Sequence, residues 1–253
     1  MDAAQTIRDA VSKIFELRRE SVSNPQLGAA ITAVKQFQAR RFVFTYGDIL
    51  KTGPYQGAAE FFLDELYGEK DYSHRDAQFA RIAGAMQKFL PKPAVATAVL
   101  LAKLHLLTEE LDFAMGQTWM NAPQPSASLE SAVNPTSQGS PWRYTKAWQI
   151  VGQRENRRIQ LAHVLNMGRD LERLTRMPGL RLVLKMMRHP AEAAGLSDLQ
   201  HFLEHGFDTF AKMGQNKQSV SGFLSLIEQR ETVLMDDLFS QSPESMAEFF
   251  GAI

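Results

Sequence analysis

The chain has 253 residues, of which 44% are hydrophobic and 22% are charged, and these proportions are typical of a folded globular protein. Its 16 Phe, 11 Met and 3 Trp can build a sizeable core, which excludes a wholly disordered chain. The 28 basic and 28 acidic residues exclude the overall basic charge of a nucleic-acid-binding protein, and the absence of Cys excludes a disulfide scaffold, a thiolate zinc site, an iron–sulfur cluster and a cysteine nucleophile.

Neither a secretory signal nor a membrane-spanning segment is predicted. The start of the chain, Met1–Gln5, lacks a basic stretch followed by an apolar run. The most apolar stretch, residues 94–102, is too short to span a bilayer. We therefore expect a soluble cytoplasmic protein without a membrane partner, and we do not expect nucleic acid as a partner.

Apolar residues recur with helical spacing along the first half of the chain. Asn24 followed by Pro25 predicts the start of a second helix, and segment 41–46 is interpreted as continuing or following that helix because a lone strand has no partner. Ser73 begins a Ser-x-x-Asp sequence typical of a capping box. The predicted helices in this half start near Ile7 and then span about 25–46, 56–67, 73–89 and 94–120.

A long irregular segment follows at residues 121–141, where Pro and Ser are frequent. Such a composition predicts a flexible loop, either a linker or a lid, and we favour the linker.

The second half of the chain is predicted to be helical again. One helix is expected over residues 142–177, with a bend near Gly152 or Gly168, and Ser197 begins a second capping-box sequence. Further helices are expected at 180–188, 197–213, 219–239 and after Ser242. The whole chain, 1–253, is thus predicted to be one all-α domain, a bundle of about ten helices.

The sequence His201-Phe-Leu-Glu-His205 matches an inverted zinc-protease motif in its letters. On a helix, however, both histidines lie opposite the apolar stripe that includes Phe202 and Phe207. We therefore predict a solvated histidine pair and no metal site.

A second polar cluster lies on a leucine-rich helix. His105, Glu109 and Asp112 fall within a narrow arc, and leucines cover most of the remaining circumference, so this helix is expected to be central. If the arc faces inward, it is a candidate ligand-binding or acid–base site. The alternative is a solvated stripe, or a histidine bonded to a neighbouring carboxylate.

Three arginines, Arg154, Arg157 and Arg158, are predicted to extend the apolar stripe of their helix rather than oppose it. Segment 154–188 has nine basic and three acidic residues, whereas acids concentrate elsewhere. The basic segment either packs on acidic ones, which we favour, or leaves a basic face for a phosphate, a nucleic acid or an acidic partner.

The stretch 61–68, Phe-Phe-Leu-Asp-Glu-Leu-Tyr-Gly, resembles the signature of the bacterial FFLEELY-motif proteins, with Asp64 in place of the first Glu. Similar stretches lie at 71–76, 104–112, 187–191 and 199–204, so the resemblance extends from about Arg41 to Phe239. It implies a single cytoplasmic bacterial fold and no particular chemistry.

Two functions stay open. The one we favour is a non-enzymatic helical module that binds a partner protein or a small anionic ligand, without a cofactor or metal. Its candidate residues are Arg154, Arg157 and Arg158. The alternative is a metal- or haem-dependent helical enzyme that uses His105 with Glu109 or Asp112.

Overall fold

A computed structural model describes residues 2–65, 72–121, 141–215 and 219–251. Within these ranges every regular element is a helix, which confirms the predicted all-α class. The twelve described helices are α1 (Ala3–Ser23), α2 (Pro25–Lys51), α3 (Gln56–Glu65), α4 (Ser73–Phe89), α5 (Lys92–Asn121), α6 (Pro141–Val151), α7 (Arg154–Thr175), α8 (Leu180–Met186), α9 (Arg188–Ala193), α10 (Ser197–Met213), α11 (Ser219–Ser240) and α12 (Pro243–Phe250).

The start of α2 follows the prediction from Asn24 and Pro25. The Asn24 side chain accepts a hydrogen bond from the backbone N–H of Leu27 at 3.2 Å, which caps the helix. Segment 41–46 is helical, as expected. At Tyr46 the backbone leaves helical geometry, with φ −117° and ψ 15°, so α2 is kinked there.

The two predicted capping boxes are wrong. Ser73 and Ser197 are the first helical residues of α4 and α10, and the residues before them, Tyr72 and Leu196, make no side-chain cap. The acidic residue of the first box, Asp76, is buried and bonds to Arg18 and His105.

The long helix predicted over 142–177 is two helices. Gly152 and Gln153 have φ angles of 65° and 53°, in the left-handed region, and this turn separates α6 from α7. The predicted loop at 121–141 falls almost entirely on residues 122–140, which lie outside the described residues.

Helix α5 occupies the centre of the fold, as its leucine-rich surface predicts. It packs against α1, α2, α4, α6 and α7. Two hydrophobic clusters surround it. The first joins α1, the end of α2, α3, α4, α10 and the start of α11, and the second joins the start of α2, the end of α5, α6, the end of α11 and α12. None of the described helices is both long and apolar enough to cross a membrane.

Candidate ligand-binding site

A cavity of about 320 Å³ lies between the two hydrophobic clusters. Phe42 and Phe79 of the first cluster and Trp148 and Leu234 of the second are all part of its wall. This volume is at the lower end of the range of about 300–1,000 Å³ that is usual for pockets that bind small organic molecules.

The wall of this cavity is unusually rich in charged groups for a helical interior. Five basic and five acidic side chains line it, together with one histidine. Because a buried charge is costly unless it is paired, their arrangement decides what the cavity can hold. The charged lining residues are Arg18, Lys35, Arg41, Arg75 and Arg157, and Glu65, Asp76, Glu109, Asp112 and Glu231.

Four helices contribute to one continuous ionic network on this wall. Arg18 of α1 pairs with Asp76 of α4 at 2.8 Å and with Glu109 of α5 at 3.1 Å. Lys35 of α2 donates to both carboxylate oxygens of Glu109 at 3.0 Å. His105 places Nε2 3.0 Å from Oδ2 of Asp76. Two cations and two carboxylates thus neutralise each other, with His105 attached to the network.

The electrostatics of this network keep its carboxylates charged. Burial by itself raises the pKa of Asp76, but the hydrogen bond to His105 and the charge of Arg18 outweigh it and lower that pKa below its usual value. Burial likewise opposes ionisation of Glu109, and the charges of Lys35 and Arg18 lower its pKa overall.

Asp112 lies one turn beyond Glu109 and is in a different environment. Burial raises the pKa of its carboxyl group, and the charge of Glu109 adds to this effect, while Lys35 acts in the opposite direction. Its Oδ1 accepts a hydrogen bond from Gln38 Nε2 at 2.9 Å. Gln38 also bonds to the hydroxyl group of Tyr144, so the amide that bonds to Asp112 links it to an uncharged hydroxyl group.

Arg157 of α7 completes this end of the cavity. Its side chain is buried, and its guanidinium group lies 4.0 Å from the ring centre of Trp148, a cation–π contact. Its positive charge acts on Asp112 and lowers the pKa of that carboxyl group, though less than burial raises it.

The kink of α2 supplies a third part of the wall. Tyr46 donates to Glu231 Oε1 at 2.8 Å, and Arg41 donates to both oxygens of the same carboxylate at 3.1 and 3.2 Å. The neighbouring Arg230 donates to the carbonyl oxygen of Thr45 at 2.7 Å, next to the kink. This arrangement holds α2 and α11 together at the cavity.

A family model described as a domain of unknown function, DUF8198, matches residues 17–245. The chain belongs to the DUF8198 family. The matched part includes every charged residue that lines the cavity, from Arg18 to Glu231. Comparisons with curated proteins and with solved structures give no match.

In this DUF8198 chain, four of the residues singled out in the sequence line the cavity, namely His105, Glu109, Asp112 and Arg157. The histidine is bonded to a carboxylate, but that carboxylate is Asp76 from another helix. The arc on α5 therefore faces a cavity between helices.

The expected inward placement is wrong for Arg154 and Arg158, which are exposed. Arg154 is the first residue of α7 and pairs with Asp236 at 2.7 Å on the surface. Arg158 is rotated about 100° from Arg157 around the helix axis, which carries it out of the interface. Other arginines of segment 154–188 also pair with acids at the surface, for example Arg181 with Asp208 at 2.9 Å.

Several cavity residues escaped the sequence analysis. Arg18, Lys35 and Arg41 lie on helices where nothing in the local pattern distinguishes them from solvated cations. Asp76 was assigned to a capping box, although an acid in the first turn of a helix can equally face inward. Their common signal, a position next to the apolar stripe of an amphipathic helix, is weak in a single sequence.

The donor groups do not favour a metal centre. Among the described residues there is no group of three or more His, Asp or Glu side chains arranged to hold a metal ion. Both oxygens of Glu109 accept from Lys35, and Asp76 is paired with Arg18, so these carboxylates already face cations. His201 is exposed, as predicted, while His205 is half-buried with its ring edge-on to Phe61 at 5.2 Å.

Proposed function

We propose that this protein is a non-enzymatic binding module that holds a small organic anion in the cavity between its two hydrophobic clusters. The observation that carries the proposal is the charge of the cavity wall. Five basic and five acidic side chains line it, and the raised pKa of Asp112 favours the neutral form of one acid. The buried guanidinium group of Arg157 acts on this same carboxyl group, and the carboxylate of a bound organic anion would pair with it.

The end of the cavity near Asp112 is where an anionic group fits best. Arg157 brings a buried positive charge, and a protonated Asp112 can donate a hydrogen bond to a carboxylate oxygen. The neighbouring carboxylates Glu109 and Asp76 are already paired with Arg18 and Lys35, so these two cations are less available to an anion. The binding energy would come from the Arg157 end and from the apolar wall.

Calorimetric titration with hexanoate tests this proposal, and hexanamide is the matched neutral probe. We expect hexanoate to bind and hexanamide to bind at least tenfold more weakly, because only the carboxylate carries a charge that can pair with Arg157. Equal binding of the two compounds would contradict an anion site.

Two adjacent arginines allow a matched comparison of protein variants. Arg157→Gln removes the buried cation that acts on Asp112, whereas Arg158→Gln removes an exposed cation one residue later on the same helix. We expect only Arg157→Gln to weaken hexanoate binding. If Arg157→Gln lowers the thermal stability, Asp112→Asn offers a second test. Its amide still fills the site but donates a weaker hydrogen bond than a carboxylic acid, so we expect weaker hexanoate binding, and unchanged binding would contradict this site.

A protein partner is the second candidate, favoured by apolar side chains exposed around α8. Leu182, Val183, Met186 and Met187 are all exposed there, with 68% of Met186 accessible. Contiguous exposed apolar groups are typical of interaction surfaces. If the partner is a second copy of this chain, sedimentation should show a dimer that Leu182→Glu with Met186→Glu converts to a monomer.

We further propose that the family corresponds to the bacterial FFLEELY-motif proteins and that the chain is a single domain that works in the cytoplasm. Phe61 and Phe62 of the motif are buried in α3, which packs on α2 and α10. The end of the motif, 66–68, lies outside the described residues.

A further inference from the structure

A second cavity, of about 130 Å³, lies beside the charged one. Its lining is apolar except for Thr97, whose hydroxyl group already donates to the carbonyl oxygen of Pro93 at 2.9 Å. No charged side chain lines this second cavity among the residues that the structure describes. The only compatible occupant is therefore apolar, since an unpaired polar group placed there would lose its hydrogen bonds to water.

The two cavities are neighbours with a common wall. Six side chains line both of them, and all six are apolar. They are Phe62, Phe79, Leu101, Leu104, Val164 and Phe202. Within the described part of the chain, the two cavities are therefore separated only by apolar side chains.

The contacts between α5 and α7 show that the lining of the two cavities changes from charged to apolar along these helices. Thr108 accepts a hydrogen bond from Gln160 at 2.8 Å. On one side of this contact, Asp112 lies near Arg157, and on the other, Leu104 and Val164 line both cavities. As residue numbers rise in α5 they fall in α7, so the two helices are antiparallel.

Beyond the shared wall the same two helices line only the apolar cavity, for example through Ala98 and Leu171. Since an α-helix rises about 1.5 Å per residue, the distance from Asp112 back to Leu104 is about 12 Å, and from Leu104 back to Ala94 about 15 Å. The pair of cavities thus follows α5 for about 27 Å, charged at one end and apolar at the other.

We propose that the bound anion is an unbranched alkyl carboxylate, with its carboxylate near Arg157 and its tail in the apolar cavity. This inference rests on the proposed function, because it assigns the tail of the same ligand. Since an extended alkyl chain advances about 1.3 Å per carbon, about the first nine carbons reach the shared wall, and the carbons beyond them enter the apolar cavity. Chains of six to eight carbons therefore stay in the charged cavity, whereas tetradecanoate enters the apolar one.

Titration calorimetry of hexanoate, octanoate, dodecanoate and tetradecanoate, each below its micelle concentration, tests this assignment. We expect the affinity to rise up to about fourfold for each added methylene group, because each buried methylene contributes about 0.8 kcal/mol. Equal affinities for hexanoate and tetradecanoate would overturn the tail assignment and leave the anion site intact. If none of the four carboxylates binds, both the assignment and the proposed function fail.

Variants that fill the apolar cavity separate its contribution from that of the charged one. Ala98→Leu adds volume to a wall of the apolar cavity alone. We expect it to weaken tetradecanoate binding at least tenfold and to leave hexanoate binding unchanged. Leu171→Phe repeats the test from α7, and unchanged hexanoate affinity shows that each variant is folded. Unchanged tetradecanoate affinity in both variants would overturn the proposal.

Discussion

Glu109 and Asp112 stand one helical turn apart on α5 and line the same cavity, yet their pKa values shift in opposite directions. Burial disfavours the charged form of both groups. Glu109 receives two hydrogen bonds from Lys35 and one from Arg18, and these cations lower its pKa. Asp112 accepts from the neutral amide of Gln38 and stays biased toward its protonated form. The difference follows from the partners that α1 and α2 bring to each position.

Replacing Asp112 with Asn is expected to stabilise the protein at neutral pH. The pKa of Asp112 is higher in the folded protein than in the unfolded chain. As the pH rises above about 4, Asp112 therefore ionises first in the unfolded chain, and this lowers the free energy of unfolding. The amide introduced by Asp112→Asn removes this penalty, and its oxygen can still accept from Gln38. The melting temperature of the variant should exceed that of the native protein at pH 7.

The same comparison at acid pH serves as the control for Asp112. Below pH 4 both folded and unfolded chains carry the protonated carboxyl group, so the two melting curves should converge there. A variant that is less stable than the native protein at pH 7 would mean that Asp112 is charged in the folded state.

Replacing Glu109 with Gln is expected to destabilise the protein by about 2 kcal/mol at pH 7, since Lys35 loses its carboxylate and Arg18 keeps only Asp76. The exposed neighbour Glu110 provides the matched control, and Glu110→Gln should change the free energy of unfolding by less than about 0.5 kcal/mol. Urea unfolding of both variants measures the difference.

The destabilisation caused by Glu109→Gln is expected to depend on pH. The pKa of Glu109 is lowered in the folded protein, so its stabilising contribution is present above its ordinary value of 4.5 and disappears as the pH falls through the folded-state pKa. The deficit of Glu109→Gln should therefore shrink on acidification. A deficit that is constant from pH 7 to pH 3 would assign the effect to packing.

Replacing Gly116 with Ala tests the close approach of α5 to α2. A Cβ atom at Gly116 would lie 2.4 Å from Ile31 Cγ1 and 3.2 Å from the backbone nitrogen of the same residue, so the helices must move apart. We expect a loss of about 1–3 kcal/mol in thermal or urea unfolding. Gly47→Ala, with no atom within 4 Å of the new Cβ, should instead be neutral or gain up to about 1 kcal/mol. Equal effects would mean that α2 and α5 are not in close contact at Gly116.

Much of the fold is predictable from the sequence because helical periodicity is a local property. The apolar spacing identifies the helices, Asn24 and Pro25 identify the start of α2, and the leucines around His105 indicate that α5 is central. The division between α6 and α7 was less clear, since a glycine such as Gly152 is compatible with both a bend and a break. In the structure, the left-handed backbone of Gln153 separates α6 from α7.

The sequence by itself determined that His105, Glu109 and Asp112 share one face of α5, because residues three and four apart are neighbours on any helix. Only the tertiary structure decided what that face meets. Arg18, Lys35 and Asp76 come from other helices, and the order in which helices pack depends on contacts between residues far apart in the chain. The same packing buries Arg157 and leaves Arg154 and Arg158 in solvent, since the rotation of α7 about its axis depends on how it packs against α5, α10 and α11.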